Sequence, residues 1–301
     1  MRAQEIAERL ERFSKRIGKK LSGKKEKIKE RYTITGDIIS YSMCPRQYGL
    51  YRFYGFAPSN PTQEWYGSVI HRFLKRAHTV YRVDKRVIGE DDVEELFRKV
   101  ESAMEAEGVR PSSPQVRERV IALLKEFCRL LAGDFIPKIE EAELRLIKEL
   151  PHFILYGIVD ALKVEGGEFE IWDYKGMERP EPSTPLGRKK IEIYTKQMFV
   201  YGYLFKERNG RYPRRAVLLF MNELLKGESL KEKLSRAVYE IDFTDEKTVK
   251  EVEGFIREFS EIVREIERSK ESGRWELPSQ IDKKTCLACD FRFDCPKFLS
   301  L

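Results

Sequence analysis

Two aspartates and a lysine near the middle of the chain have the types and spacing of a cation site. Gly166 and Gly167 separate two apolar-rich stretches, and a glycine pair supplies the positive φ angles of a two-residue hairpin turn. Folding the chain about that turn places Asp160 opposite Asp173. Lys175 then points to the same side as Asp173, because side chains alternate along a strand. Two carboxylates on an apolar face are costly unless something pairs with them, so the pattern predicts a divalent metal ion.

The chemistry that these residue types allow is hydrolysis of a phosphodiester. Asp160 and Asp173 would hold Mg²⁺ or Mn²⁺ through hard oxygen ligands. The ion would stabilise charge on phosphorus and lower the pKa of a bound water. Lys175 would position that water or help neutralise the pentavalent transition state. The predicted apolar face consists of Ile158, Leu162, Val164, Phe169 and Ile171. The alternative is an ordinary hairpin whose charges meet solvent or salt-bridge partners.

Three further polar residues are candidates for the same site. His71 is predicted on a helix, where a histidine is either a metal ligand or structural; His78, two turns on, is its competitor. Gln197 and Tyr201 are four residues apart on one helix and share a face. Their alternative is a place in the aromatic core of that helix.

Four of the five cysteines lie at two places that are far apart in the chain. Cys286, Cys289 and Cys295 lie near the C-terminus, and Cys44 lies 242 residues before the first of them. Four thiolates can bind Zn²⁺ or an iron–sulfur cluster. The fifth cysteine, Cys128, lies in an apolar helical segment and is predicted to be core.

The order of these elements resembles that of a known family. Along the chain they run Cys44-Pro-Arg, Gly67-x-x-x-His71, Ile-Val-Asp160, Asp173-Tyr-Lys175, Gln197-x-x-x-Tyr201 and the cysteine trio. From about residue 33 to the C-terminus the chain is similar to RecB-like PD-(D/E)XK exonucleases with an iron–sulfur cluster, in particular the CRISPR-associated Cas-four family. The second acid departs from the family pattern, being Asp173 where Glu is more usual.

The resemblance implies a fold and a set of ligands. It implies an α/β fold in which a restriction-endonuclease-like mixed sheet is joined to an N-terminal helical layer and a C-terminal iron–sulfur segment. His71, Asp160 and Asp173 would bind Mn²⁺ or Mg²⁺, and Gln197 and Tyr201 would contact DNA. A [4Fe–4S] cluster, rather than zinc, would be ligated by Cys44, Cys286, Cys289 and Cys295.

The activity implied is metal-dependent exonuclease cleavage of single-stranded or end-frayed DNA from a 5′ end, in CRISPR adaptation or DNA repair. CRISPR integrase proteins are the implied protein partners. The alternative is a non-catalytic iron–sulfur protein or scaffold that binds nucleic acid and retains the nuclease fold. The sequence has no GxxxxGK[ST] phosphate loop, so no ATP-driven step is expected.

Charge and composition frame these expectations. Residues 15–31 contain nine basic and two acidic side chains, a local excess of +7 that equals the net charge of the whole chain. This arm is predicted to bind phosphates or simply to be solvated. No membrane span or signal-peptide pattern is seen, so a cytoplasmic location is expected. A charged fraction of 36% and only three asparagines favour a heat-adapted source.

The elements that must position these residues follow from periodicity and breakers. Four regions are predicted: a basic arm over 1–32, which includes an amphipathic helix, a helical layer over 33–135, a nuclease core over 136–275 and a cysteine segment over 276–301. Helices are predicted over 33–54 with a break at Pro45, 63–83, 91–107, 115–131, 191–208 and 248–270. Strands are predicted over 142–150, 153–164, 169–174, 215–222 and 238–243, with a loop over 176–190.

Overall fold

A computed structural model describes residues 29–56, 62–278, 281, 283–287 and 289–300. The predicted amphipathic helix and most of the basic arm lie outside the described residues. Within the described residues, six strands form one mixed sheet: β1 (Arg31–Thr33), β2 (Ile139–Glu149), β3 (Ile154–Glu165), β4 (Glu168–Lys175), β5 (Arg215–Phe220) and β6 (Val238–Asp242). The mixed α/β fold with such a sheet agrees with the predicted fold class.

Strand β3 is the centre of the sheet. Strand β2 pairs antiparallel with nearly its whole length. On the opposite edge, β1 pairs parallel with residues 154–156, and β4 pairs antiparallel with residues 161–165. β4 then continues the sheet through parallel β5 and antiparallel β6. Along that edge of β3, residues 157–160 therefore lie between the end of the pairing with β1 and the start of the pairing with β4. Asp160 is the last of these four residues.

Helices cover both faces of the sheet. The longer ones are α1 (Thr62–Asp84), α2 (Val93–Ala106), α3 (Pro114–Phe127), α4 (Pro185–Asn209), α5 (Leu230–Ala237) and α6 (Glu246–Ser272). Helices α1, α2 and α3 bury their apolar stripes against one face, and α4 and α6 against the other. Ile34 and Tyr48 pack with α4 and α6, so the region 33–135 contributes to both faces. The domain boundaries stay predictions. None of the described helices has the length and apolar character needed to cross a membrane.

Short helical turns connect these elements. They are Ile34–Ile39, Ser40–Met43, Pro45–Tyr48, Gly49–Phe53, Glu90–Asp92, Cys128–Ala132, Gly133–Phe135, Ile136–Lys138, Met221–Leu225, Lys283–Leu287, Arg292–Asp294 and Pro296–Leu299. The predicted break at Pro45 falls one residue earlier. Cys44 has extended backbone, as a residue before proline prefers, and its thiol accepts a hydrogen bond from the Gln47 amide. The cysteine is therefore held at a helix N-terminus.

The predicted loop over 176–190 was wrong at its C-terminal end, because α4 begins at Pro185. Proline at the first helical position loses no hydrogen bond, and the Thr184 hydroxyl accepts one from the Gly187 amide at 3.0 Å. Pro185, a residue type that favours loops, therefore starts the helix here. Strand β1 and helix α5 were not predicted, since three and eight residues carry little periodic signal.

The hairpin prediction is confirmed, with one correction. Gly166 and Gly167 have φ angles of 61° and 82°, and the ladder pairs residues 165 with 168 through to 161 with 172. The alternation of faces, however, breaks beside Asp160. Val159 is buried, whereas Ile158 is exposed and does not belong to the apolar face. Across the ladder, Glu143 has a φ of 54°, so β2 is irregular at the same level and the strict period of two fails there.

Candidate active site and cysteine cavity

Asp160 sits where the β3–β4 ladder ends. Its Oδ2 atom accepts a hydrogen bond from the Tyr174 backbone amide at 2.8 Å, in place of the next ladder partner. Its Oδ1 atom lies 3.0 Å from Nδ1 of His71, which α1 carries across the opening. One carboxylate thus joins the two strands and the helix. The structure brings together the predicted aspartate and the predicted histidine.

Asp173 and Lys175 lie at the same end of β4. The Lys175 ammonium is 2.6 Å from Asp173 Oδ2 and donates to Gln197 Oε1 at 2.8 Å. Gln197 Nε2 in turn donates to Asp173 Oδ1 at 2.9 Å and to the Tyr201 hydroxyl at 3.0 Å. The amide therefore has its oxygen towards the cation and its nitrogen towards the carboxylate. Gln197 therefore fixes the position of the Asp173 carboxylate relative to the Lys175 ammonium.

The packing behind this cluster is tight. A Cβ atom at Gly157 would come within 2.9 Å of the Tyr201 ring, so the strand can approach α4 only with glycine at this position. Gln197 and Tyr201 are 4% and 6% exposed. Both side chains therefore face the inside of the site, behind Asp173 and Lys175. A direct contact with DNA, which the sequence predicted for them, does not follow from this placement.

Burial and like charge make the pair of aspartates electrostatically unfavourable. Burial raises the pKa of Asp173; Lys175 opposes this shift, and the negative charge of Asp160 adds to it. Burial lowers the pKa of His71, but its hydrogen bond to Asp160 and the charges of Asp160 and Asp173 outweigh burial and raise it. With His71 neutral, as a metal ligand must be, the two carboxylates carry one negative charge more than the Lys175 ammonium balances, in a poorly solvated place. A cation is what such a place favours.

A divalent ion needs several oxygen or nitrogen donors that converge on one point. Within the described part of the chain, no group of three or more His, Cys, Asp or Glu side chains is arranged to hold a metal ion as it stands. Asp173 Oδ2 is nevertheless buried, and the Lys175 ammonium lies 2.6 Å from it. Carboxylate oxygens with one imidazole are donors that suit Mg²⁺ or Mn²⁺. The donor chemistry of Asp160, Asp173 and His71 fits such an ion.

The other two histidines have different surroundings. His78 is buried, its Nε2 atom lies 3.0 Å from the Ile139 carbonyl oxygen, and burial lowers its pKa. The backbone contact gives His78 a structural partner. His152 lies at the exposed turn between β2 and β3. Neither makes a hydrogen bond to Asp160 or Asp173 among the described contacts.

Two contributors to the site were missed from sequence. The Lys175 ammonium lies 4.7 Å from the centre of the Tyr194 ring, a cation–π contact. Tyr194 is three residues before Gln197, so helical spacing would have placed it on the same face. Glu143, beside Asp160 across the ladder, forms an ion pair with Lys75 of α1. No spacing rule signals this residue, because its placement depends on the irregularity of β2.

Four cysteines border one cavity, called here the cysteine cavity: Cys44, Cys286, Cys289 and Cys295. Burial raises the pKa of the Cys44 thiol, although backbone amides of Gln47 and Arg46 oppose the shift. Cys128 is buried in the core beneath α1–α3, as predicted, apart from the other four. Four thiols around one cavity have the donor chemistry of a zinc ion or an iron–sulfur cluster. Among the described residues, the sulfur atoms do not form a ready metal-binding group.

Comparison with solved structures shows that the fold of this chain has a known counterpart. The chain is similar to the solved "Putative exonuclease" of Eubacterium rectale, with 12% identity over 90% of each chain and a TM-score of 0.53, which shows the fold alone. It also matches the solved structure of SSO0001, with 15% identity over 94% of this chain and 93% of that one and a TM-score of 0.38. Comparison with curated proteins found no match.

The family profile described as "PD-(D/E)XK nuclease superfamily" matches residues 37–296, which include every candidate site residue named above. Nucleases of this superfamily generally use divalent metals such as Mg²⁺ or Mn²⁺. The match covers most of the chain, and the chain belongs to the PD-(D/E)XK nuclease superfamily.

Proposed function

We propose that this nuclease is a metal-dependent exonuclease that hydrolyses single-stranded or end-frayed DNA from a 5′ end. The observation that carries the proposal is the cluster of Asp160, Asp173 and Lys175 at one end of the sheet, in which the amide of Gln197 bridges Asp173 and Lys175. The preference for single strands, the 5′ direction and a role in CRISPR adaptation beside integrase proteins rest on the motif resemblance. DNA repair is the other setting which that resemblance allows.

The proposed mechanism assigns one task to each side chain. Asp160, Asp173 and His71 would hold a divalent ion, which when bound supplies positive charge to the scissile phosphate and a water of lowered pKa. Lys175 is a donor held by Asp173, Gln197 and the Tyr194 ring, so its ammonium is oriented before substrate arrives. A preorganised cation stabilises the charge that develops on the phosphoryl oxygens without reorganisation during the reaction.

Gln197 and Tyr201 are proposed as positioning residues instead of DNA contacts. The amide of Gln197 orients Asp173 and Lys175, and the Tyr201 hydroxyl orients the amide. Burial raises the pKa of Tyr201, so its hydroxyl stays protonated at neutral pH and is available as a donor or acceptor. These residues would act on the reaction through the groups that they hold.

The test is hydrolysis of end-labelled single-stranded DNA with Mn²⁺ or Mg²⁺ by the full chain. Asp173→Asn and Lys175→Met should each reduce the rate by about 10²- to 10³-fold, while the unfolding midpoint stays within a few degrees of the parent. Matched controls are the exposed Asp91→Asn and Lys231→Met, which should keep full activity. Activity that survives both site substitutions would contradict the assigned site.

Substrates blocked at one end test the finer parts of the proposal. A block at the 5′ end should protect the strand and a block at the 3′ end should not; the reverse result would refute the polarity. Salt-sensitive binding to DNA with no metal-dependent turnover would favour the non-catalytic alternative. Co-purification with a CRISPR integrase tests the partner separately from the chemistry.

We also propose that Cys44, Cys286, Cys289 and Cys295 ligate a [4Fe–4S] cluster. Their position around one cavity supports the assignment, and a cluster there would tie two distant parts of the chain together. Anaerobically purified protein should be brown and contain iron and acid-labile sulfide. Cys289→Ala should lose the colour, whereas Cys128→Ala, a cysteine of the separate core, should keep it. A colourless protein with stoichiometric zinc would refute the cluster and leave the nuclease proposal untouched.

A further inference from the structure

Exposed aromatic rings lie in the two chain segments that carry the cysteines of the cysteine cavity. Among the described residues, four aromatic side chains are exposed, by 44% to 68%: Phe53, Tyr54, Phe56 and Phe293. The first three follow the helical turns that carry Cys44, and Phe293 lies between Cys289 and Cys295. We propose that these four rings, the aromatic surface, form a base-stacking site for single-stranded nucleic acid. The proposal deepens the proposed function and rests on it.

Two rings of the aromatic surface pack against partly buried rings. Phe53 packs against Trp275 with ring centres 5.5 Å apart, and Phe56 packs against Phe291 at 5.1 Å. Tyr51 packs against the same Phe291 ring. Such rings lose little conformational freedom when a base stacks on them, so more of the stacking free energy appears as affinity.

Hydrogen bonds fix the two segments to each other at the same place. The Tyr51 hydroxyl donates to Asp290 Oδ2 at 2.7 Å and lies 3.1 Å from the Asp290 amide, which donates to it. The two residues are 239 positions apart in the chain. The aromatic surface is therefore built jointly by the segment after Cys44 and the segment around Cys289, and neither segment carries it alone.

The charge of the surface suits a polyanion. Residues 44–56 and 289–300 together contain four basic and two acidic side chains: Arg46, Arg52, Arg292, Lys297, Asp290 and Asp294. The Asp290 carboxylate accepts a hydrogen bond from the Tyr51 hydroxyl, and Arg52 lies 4.0 Å from Asp37. The Arg292 guanidinium lies 4.5 Å from the centre of the Phe293 ring and donates to the Cys289 carbonyl at 3.0 Å. A fixed cation next to an exposed ring can contact a phosphate while a base stacks on that ring.

Unpaired bases fit this surface better than a duplex does. In a duplex the faces of the bases are stacked on one another, whereas a single strand offers each face to an aromatic ring. Stacking tolerates any base sequence, because every base has a π face. The aromatic surface would accordingly bind single strands with little sequence preference.

The experiment measures binding to the full chain without turnover. Fluorescence anisotropy of a labelled oligothymidylate, in chelator, gives the dissociation constant independently of metal-dependent cleavage. Phe293→Ala and Tyr54→Ala should each weaken binding by about fivefold or more, while Phe293→Trp should bind like the parent. The control is Leu230→Ala, an apolar side chain on α5 that is 44% exposed and lies outside the aromatic surface.

An abasic strand of the same length separates stacking from charge. The parent should bind it at least about fivefold more weakly than oligothymidylate, and the two alanine variants should show little difference between the strands. Equal affinity of the parent for both strands, or alanine variants that bind like Leu230→Ala, would overturn the proposal and favour a protein partner for this surface. Base-dependent binding by a protein without nuclease activity would refute the proposed function alone; an active nuclease with base-independent binding would refute this inference alone.

Discussion

The carboxylate site takes its two aspartates and its lysine from 16 consecutive residues, whereas the cysteine cavity joins Cys44 to a trio that begins 242 residues later. The first is positioned by a hairpin register and by hydrogen bonds to one amide. The second is positioned by aromatic contacts between two distant segments, such as Phe53 with Trp275. One site is encoded locally, and the other exists only after the chain has closed a long loop.

This difference has consequences for stability and for function. A local hairpin brings its residues together at little entropic cost, whereas closing a long loop costs more and needs a strong contact to maintain it. We therefore expect the carboxylate site to keep its geometry when the cysteine cavity is lost. The two sites should be separable by mutation, and the following experiments are arranged to separate them or to show that they are coupled.

The largest effect is expected from breaking the proposed cluster. Cys289→Ala should release the C-terminal segment, because a structural metal centre contributes several kcal/mol to the part of the fold that it closes. Limited proteolysis should cut the variant near residue 276 at least about ten times faster than the parent. Asp173→Asn should leave that cleavage rate unchanged, since its loss affects only the carboxylate site.

The result also tests the predicted boundary between the nuclease core and the cysteine segment. Cleavage elsewhere in the chain would show that the boundary at 275 is misplaced. If Cys289→Ala and Cys128→Ala were cleaved at the same rate, the cysteine cavity would not be what holds the C-terminal segment in place. Single-turnover cleavage of DNA by the Cys289→Ala protein would then show how far the local site works without it.

Next in size is the effect of the bridging amide. Gln197→Ala removes the partner of both Asp173 and Lys175, so we expect kcat to fall by about 10²-fold with little change in KM. Gln197→Asn keeps the amide but shortens its reach and should fall between the alanine variant and the parent. Rates at saturating and limiting DNA distinguish this from a loss of binding, which would raise KM and leave kcat unchanged.

Much of the carboxylate site was predictable because its information is local. A glycine pair fixed the register, and period-two alternation correctly put Asp173 and Lys175 on one side. The alternation failed at Ile158, where it met the irregular backbone of Glu143 in a different strand. The alternation rule uses the sequence of one strand, so it cannot predict a distortion in the neighbouring strand.

The long-range features were less accessible. The cysteine spacing indicated a shared site, and the four thiols do border one cavity. The aromatic contacts that join the segments gave no sequence signal, because pairs such as Tyr51 and Phe291 are linked only by tertiary packing. The same limit applies to Gln197. Its spacing from Tyr201 predicts a shared helix face, but its burial against Asp173 depends on how α4 lies on the sheet.

A pair of glycines offers a smaller and more local comparison. A Cβ atom at Gly49 would overlap the indole of Trp275, beside the cysteine cavity, and one at Gly157 would press on Tyr201, behind the carboxylate site. Each alanine substitution should cost about 1 to 3 kcal/mol by overpacking. Gly49→Ala should mainly speed proteolysis of the C-terminal segment, whereas Gly157→Ala should mainly lower kcat. Identical profiles in both assays would show that the two regions are coupled.

The smallest effect concerns the turn that sets the register of the carboxylate site. Hydrogen bonds from Lys138 and Lys163 lower the pKa of Glu165 from 4.5 to about 2. Because the folded-state pKa is the lower one, the stabilisation is present above about pH 4.5 and is lost as the pH falls towards 2. Glu165 is largely exposed, so the contribution should stay below about 1 kcal/mol. Urea unfolding of Glu165→Gln should therefore show a slightly shallower loss of stability in acid than the parent. The control is Glu168→Gln, across the same ladder position, whose carboxylate lies 3.7 Å from Arg211. An equal change in both variants would assign the effect to net charge instead of to the lysine pair at the turn.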